Sequence, residues 1–217
     1  GRYTVDDDLV LSGNITIPAT VTLYVTGDVT ASTHTLTVNG QMYVTGSVDS
    51  ATVSGTLEAN SVGTKLSLKD GAVVSVAGTV AWASVVEANA SVTLKSGTYT
   101  QITMLSTDAV TVNVDGNVSV ATLGNADNAG DSVVVKAGST LTVTGTVSAT
   151  GNTDLFTGEI GAVISFADTA TGSTAMTNFY ADNNNDAADA PADSFAASYT
   201  WTAATGSRTS AGWLKNV

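Results

Sequence analysis

From Leu9 to Ala149 apolar and polar residues alternate with a period of two, and nothing in that stretch sustains the 3.6-residue period of an amphipathic helix. The pattern predicts many short strands, among them Leu9-Val10-Leu11, Ile15-Thr16-Ile17, Thr22-Leu23-Tyr24-Val25, Leu36-Thr37-Val38, Met42-Tyr43-Val44, Ser91-Val92-Thr93-Leu94 and Leu141-Thr142-Val143. Between them recurs one signature: an apolar strand end, one polar residue, Gly, one more residue, then an apolar position. It occurs as Leu11-Ser12-Gly13-Asn14-Ile15, Val25-Thr26-Gly27-Asp28-Val29, Val44-Thr45-Gly46-Ser47-Val48, Val53-Ser54-Gly55-Thr56-Leu57, Val76-Ala77-Gly78-Thr79-Val80 and Val143-Thr144-Gly145-Thr146-Val147. Gly suits these places because a chain turning sharply between strands needs a positive φ or a missing Cβ.

A second repeat, Leu68-Lys69-Asp70-Gly71, Leu94-Lys95-Ser96-Gly97 and Val135-Lys136-Ala137-Gly138, interleaves with the first, with Val114-Asp115-Gly116 as a shorter relative. Glycines 27 and 46, 78 and 97, and 97 and 116 are each 19 residues apart, and 116 and 138 are 22 apart. A period in that range is one coil of a solenoid, which predicts an all-β fold: a single-stranded parallel β-solenoid, or β-helix, of roughly seven coils. An antiparallel β-sandwich also has short strands at regular spacing. It has no reason to repeat one turn at a near-constant period, and most of these turns are Thr-Gly, Ser-Gly or Ala-Gly rather than the Asn-Gly and Asp-Gly of tight hairpins.

The pattern fades after about Gly151, which divides the chain into coils over 1–151, irregular last coils over 152–180, a polar loop over 181–198 and a C-terminal segment over 199–217. The loop is rich in Asp, Asn and Ala and too polar for a core strand. The last segment brings Tyr199, Trp201 and Trp213 together, so it is expected to cap the final coil or to dock on a neighbour, because a solenoid end exposes unpaired backbone and a cross-section of the core.

Composition narrows the function classes. The chain has 217 residues, only 12% of them charged, with 19 acids against 7 Lys and Arg and a net charge of −12. Scattered cations supply no patch for a phosphate backbone or an anionic membrane surface, so neither nucleic acid nor membrane is an expected partner. With no Cys there is no disulfide, thiolate metal site or Cys nucleophile. No apolar run approaches the roughly 18 residues of a membrane span. The chain starts at Gly1 with strand-like residues immediately after it, which suggests a removed leader and hence export.

No catalytic residue stands out. An acid or lyase site would have to be assembled from isolated residues such as Asp108, Asp115 and Asp131, and His34, the only histidine, has no acidic neighbour in sequence. No cofactor is expected. A structural calcium ion is the one metal considered, with Asp127 and Asp131 in the segment Asn125-Ala126-Asp127-Asn128-Ala129-Gly130-Asp131 as candidate ligands, although the spacing matches no calcium loop. Thr-x-Thr pairs such as Thr98-Tyr99-Thr100 raise the idea of an ice-binding face, but they do not recur at the period of the glycines, and strand-forming preference accounts for Thr in bulk. Three Asn-x-Ser/Thr sequons, at Asn14, Asn89 and Asn117, arise by chance in so Ser- and Thr-rich a chain.

The Val-Thr-Gly-x-Val turns, low charge, acidic balance and lack of Cys over 9–149 resemble the β-solenoid passenger and shaft regions of bacterial surface adhesins and autotransporter-like proteins. That resemblance implies an extracellular or cell-surface structural or adhesive role and carries over no site residue. The leading expectation is a structural subunit that assembles with copies of itself, end to end, into a fibre or sheath, because a solenoid has two ends that want partners. Its interface would use Tyr3 and Val5 at one end and Tyr199, Trp201, Trp213, Leu214 and Val217 at the other. The alternative is a monomeric adhesin or carbohydrate-binding module that stacks a cell-surface glycan on exposed Tyr24, Tyr43, Tyr99 or Trp82.

Overall fold

In a computed structural model of the chain, the residues described are 1–149, 155–159, 161–166, 171–172, 199–202 and 212–213. Among them there is no helix, and the strands stack as a parallel β-solenoid of about eight turns. Each turn passes through three columns. The first column stacks β1 (Arg2–Val5), β4 (Thr22–Val25), β7 (Gln41–Val44), β9 (Thr56–Ala59), the start of β11 (Val73–Val80), the starts of β13 (Ser91–Thr103) and β14 (Thr111–Gly124), β15 (Ser132–Val135) and β17 (Phe156–Gly158). The second contains β2 (Leu9–Val10), β5 (Val29–Thr30), the starts of β8 (Ser47–Val53) and β10 (Ser61–Leu68), later parts of β11, β13 and β14, β16 (Thr140–Val147) and β18 (Val163–Phe166). The third runs through β3 (Ile15–Ile17), β6 (Leu36–Val38), the ends of β8 and β10, β12 (Ala83–Val85), the ends of β13, β14 and β16, and β19 (Thr171–Gly172).

The period-two pattern places one residue of each pair inside. On the first column Leu23, Met42, Leu57 and Val74 lie one above another in the core, and on the second Val48, Val62 and Val80 stack, followed after Tyr99 by Val120 and Val143. Like stacked on like at the strand spacing of about 4.8 Å keeps the interior filled level after level, which is why Val and Leu dominate it.

The turns differ in length. Equivalent positions on successive turns, each pair joined by a hydrogen bond, are separated in sequence by 20 from Asp8 to Asp28, by 19 from Thr22 to Gln41, by 15 from Asn39 to Ser54, by 17 from Asp70 to Glu87 and by 23 from Lys136 to Glu159. The registers widen the expected period of 19 to 22 to a range of 14, from Ser47 to Ser61, to 25, from Thr146 to Thr171, and the column has about eight turns where roughly seven coils were expected. The spacings that gave the period all lie at the first-to-second corner and miss the short turns between Gly46 and Gly78, where 32 residues make two turns; the glycine signature itself serves every corner. Gly27, Gly46 and Gly78 turn from the first column to the second, Gly13 and Gly145 from the second to the third, and Gly55 from the third back to the first.

Most of the added length enters at the third-to-first corner. It takes two residues at 39–40 and at 54–55, and seven at 104–110 and at 125–131. In the short turns two strands meet so closely there that a Cβ on Gly55 would run into the carbonyl oxygens of Gly40 and Asn39. At the other corners one or two residues often suffice, and the strand bends without breaking. Hence β13 and β14 run unbroken for 13 and 14 residues around all three sides, where short separate strands were expected.

At the C-terminal end the parallel order stops. The strand β20 (Tyr199–Thr202) lies antiparallel along β18, with Ile164 opposite Trp201, and β21 (Gly212–Trp213) pairs parallel with β20. The polar loop over 181–198 lies outside the described residues.

Candidate functional site

The long sides of the column are built from outward side chains that bond to the turn above or below. Asp28 Oδ1 accepts the Ser47 N–H at 2.6 Å and the Ser47 hydroxyl at 2.9 Å. These bonds hold the Asp28 carboxyl below its ordinary range, the backbone N–H having the larger effect and the hydroxyl the smaller. Ser75 and Ser96 Oγ are 3.0 Å apart, and Thr111 Oγ1 and Ser132 Oγ 3.1 Å. Lys136 Nζ donates to Glu159 Oε1 at 2.8 Å, and that bond first, with the Ala137 N–H second, lowers the Glu159 pKa.

The aromatic platforms expected for a glycan are engaged internally. Tyr24 and Tyr43, one turn apart and paired in register, stack with ring centroids 5.1 Å apart and planes 15° from parallel. The Arg2 guanidinium, one turn earlier, sits 4.4 Å over the Tyr24 ring. Tyr24 is thus sandwiched along the column and offers its edge rather than its face. Trp82 carries Lys65 Nζ 4.0 Å over its ring and donates Nε1–H to Thr103 Oγ1 at 2.8 Å.

Tyr99 is the clear correction, because it is fully buried. It occupies an inward position of the second column between Val80 and Val120, and burial raises its phenol pKa above the usual range. Gly97, at φ +128°, leaves room for the ring: a Cβ there would lie 3.1 Å from Tyr99 Cε2. The flanking outward Thr98 and Thr100 were the signal that Tyr99 points in.

The calcium candidates lie at the enlarged third-to-first corner. Asp131 is 2% exposed. Its Oδ1 accepts the Val110 N–H at 3.0 Å and its Oδ2 the Asn128 N–H at 3.1 Å, so the carboxylate clasps two successive corner loops. Desolvation raises its pKa, the two N–H groups oppose that rise, and the Asp127 charge adds to it. Asp127 and Asp131 are the residues that could contribute oxygens to a cation. Among the described residues no group of three or more His, Cys, Asp or Glu side chains is placed to hold one.

The isolated acids do not converge. Asp108 accepts from Thr107, Asp115 pairs with Lys95 at 3.5 Å on a different corner, and Asp131 is occupied as above. His34 borders a shallow concavity of about 260 Å³ with Lys65 and the hydroxyls of Ser50, Thr52 and Ser67, and among the described residues no carboxylate lines it.

Hydroxyls recur at fixed register after all. On the third column Thr16, Thr37, Thr52, Ser67, Ser84 and Thr103 pair in succession, and on the second Thr79, Thr98, Ser119 and Thr142 do so. A search at constant period hid these ladders, since their steps follow turns of unequal length.

The expected interface residues divide. Tyr3 and Val5 lie on the first turn, Tyr3 61% exposed and Val5 half-buried. Tyr199 and Trp201 belong to β20, whose backbone pairs with this chain's own β18. Trp213 is in β21, and Leu214 and Val217 lie outside the described residues. Among the described residues β1, β2 and β3 pair with β4, β5 and β6 respectively.

Comparison with protein families finds no family model that matches the chain, and neither curated proteins nor solved structures give a match. What is shown is the parallel β-solenoid itself, and no comparison links it to surface adhesins or autotransporters. Among the described residues no helix is long and apolar enough to cross a membrane.

Proposed function

We propose that this chain is an extracellular structural element, a short rigid column whose role lies in its shape and its joining to other columns rather than in turnover. The observation that carries this reading is that the side walls satisfy their polar groups within the chain, turn to turn, among the described residues. Eight steps of about 4.8 Å give a column about 40 Å long. The fibre expected from the sequence would need both ends. At the C-terminal end β20 already pairs along β18.

Electron microscopy of the native material tests the reading. Ordered rods or a sheath built on this repeat are expected. Dispersed monomers that bind on a glycan array would overturn it in favour of the adhesin.

A second reading, ice binding, is favoured by the third-column ladder in which Thr16, Thr37, Thr52, Ser67 and Ser84 stack in register ahead of the buried Thr103. The neighbouring outward rank carries Lys65 and Gln101 rather than a second row of Thr, which places this reading behind the structural one. Thermal hysteresis and ice-crystal shaping measure it directly.

A further inference from the structure

We infer that the concavity beside His34 is a binding site for one tetrahedral oxyanion, a sulfate or phosphate group, held by the Lys65 ammonium, the His34 imidazole and the hydroxyls of Ser50, Thr52 and Ser67. The inference goes beyond the structural reading above and does not depend on it.

The site is an outward stretch of the third column. Two ranks of side chains meet there, with Ser50 opposite Lys65 in one and Thr37, Thr52 and Ser67 in succession in the other. His34 borders it from the corner that leads into β6. The space is about 260 Å³. Pockets for drug-sized ligands run from roughly 300 to 1,000 Å³, so this one takes a single small group.

Charge sets the concavity apart from the rest of the molecule. The chain carries −12, and Lys95 and Lys136 each hold a carboxylate, at 3.5 Å and 2.8 Å. Among the described residues Lys65 pairs with no carboxylate. Its ammonium lies 4.0 Å over the ring of Trp82, one turn further on, and the Trp82 Nε1–H is tied in turn to Thr103. The ring holds the ammonium in place without neutralising it. Asp49, which precedes Ser50, accepts the Thr64 hydroxyl at 2.6 Å and does not line the concavity. The only histidine of an acidic chain thus stands beside a cation that no acid has claimed.

Hydrogen bonding sets it apart again. Elsewhere on the walls outward hydroxyls bond to the next turn, as Ser75 does with Ser96 and Thr111 with Ser132. This patch is the exception: among the described residues the hydroxyls of Ser50, Thr52 and Ser67 and the His34 ring make no bond within the chain. Ammonium, imidazole and hydroxyls can all donate, and a tetrahedral oxyanion offers acceptor oxygens to several donors at once. A flat carboxylate is matched best by the forked donors of Arg, and no Arg lines the concavity. Lys serves sulfate and phosphate as a point charge.

The full chain is tested by following its amide resonances while sodium sulfate, and separately sodium phosphate, is added. Saturable shifts are expected at 34–36, 50–52 and 64–67. Lys65→Gln should weaken binding about tenfold, the difference between a charged and a neutral hydrogen bond, with the circular dichroism of the fold unchanged. Lys65→Arg should retain binding. Lys69→Gln, which removes an exposed cation outside the concavity, should leave it unaltered. Galactose 6-sulfate separates two sources of the same chemistry. Tighter binding than inorganic sulfate assigns the site to a sulfated glycan, and binding no tighter assigns it to the free anion. Shifts reproduced by sodium chloride at equal ionic strength, or equal affinity in Lys65→Gln and the parent chain, overturn the site. Either result leaves the structural reading standing, since microscopy of the native material judges that separately.

Discussion

The chain advances by only 15 along the sequence from Asn39 to its equivalent Ser54, and by 23 from Lys136 to Glu159, yet short and long turns stack in the same three columns. The difference lies in the corners. In the short turns the chain leaves the third column through Asn39-Gly40 or Ser54-Gly55, so tightly that backbone meets backbone. In the long turns seven residues make the same crossing and need a clasp, which Asp131 supplies by bonding to Val110 and Asn128. Specificity in this fold resides in the column, and each corner is solved locally, by a missing Cβ or by a carboxylate.

This contrast can be broken first at Gly55. Gly55→Ala would press a Cβ against the Gly40 and Asn39 carbonyls, which cannot move without displacing two turns. A loss of about 4 kcal/mol is expected, seen as a fall of roughly 8–16 °C in Tm by thermal denaturation. Leu57→Ala in a short turn and Leu94→Ala in a long one should cost nearly the same, about 3 kcal/mol each in urea titrations, because both side chains are fully buried. Unequal costs would show that turn length reaches the core. Asp131→Ala removes the acceptor of two N–H groups and should cost about 1–2 kcal/mol, with faster amide exchange confined to 104–110 and 125–131.

Acid separates the corners further. Asp28 and Glu159 have folded pKa values below the unfolded ones, so their contribution is complete at neutral pH and is lost as pH falls through the carboxylate range. Asp131, whose pKa is raised, acts in the opposite sense: its buried charge costs stability at neutral pH, and protonation relieves that cost. Glu159→Gln should therefore flatten the loss between about pH 5 and pH 3, measured by denaturation at each pH. The smallest effect is expected at Gly63, where a Cβ meets nothing within 4 Å; Gly63→Ala should leave stability unchanged or raise it by up to about 1 kcal/mol.

The solenoid was legible in the sequence because period-two alternation with glycine corners leaves few other ways to bury Val and Leu. The length of each turn was less so, because the glycine spacings sampled one corner and skipped the 32 residues from Gly46 to Gly78, where two short turns fit. Tyr24 and Tyr43 were read in correct register, since both neighbours of each ring are inward apolar residues. Their stacking under Arg2 was not readable, because it depends on which outward side chain lies one turn away. Tyr99 was misread by its size: alternation marked it as inward, but a ring among valines fits only because Gly97 gives way. The pairing of β20 along β18 was not legible either, because it is a long-range pairing without a local signature.

The widening of one corner, from two residues to seven, while the strands on either side keep their alignment, means that the column tolerates cargo at a single longitudinal seam. A foreign peptide spliced into 104–110 or 125–131 would project from that seam at a known height and bearing. Successive turns would then carry several inserts in a line, spaced by the thickness of one strand, as teeth are along a comb.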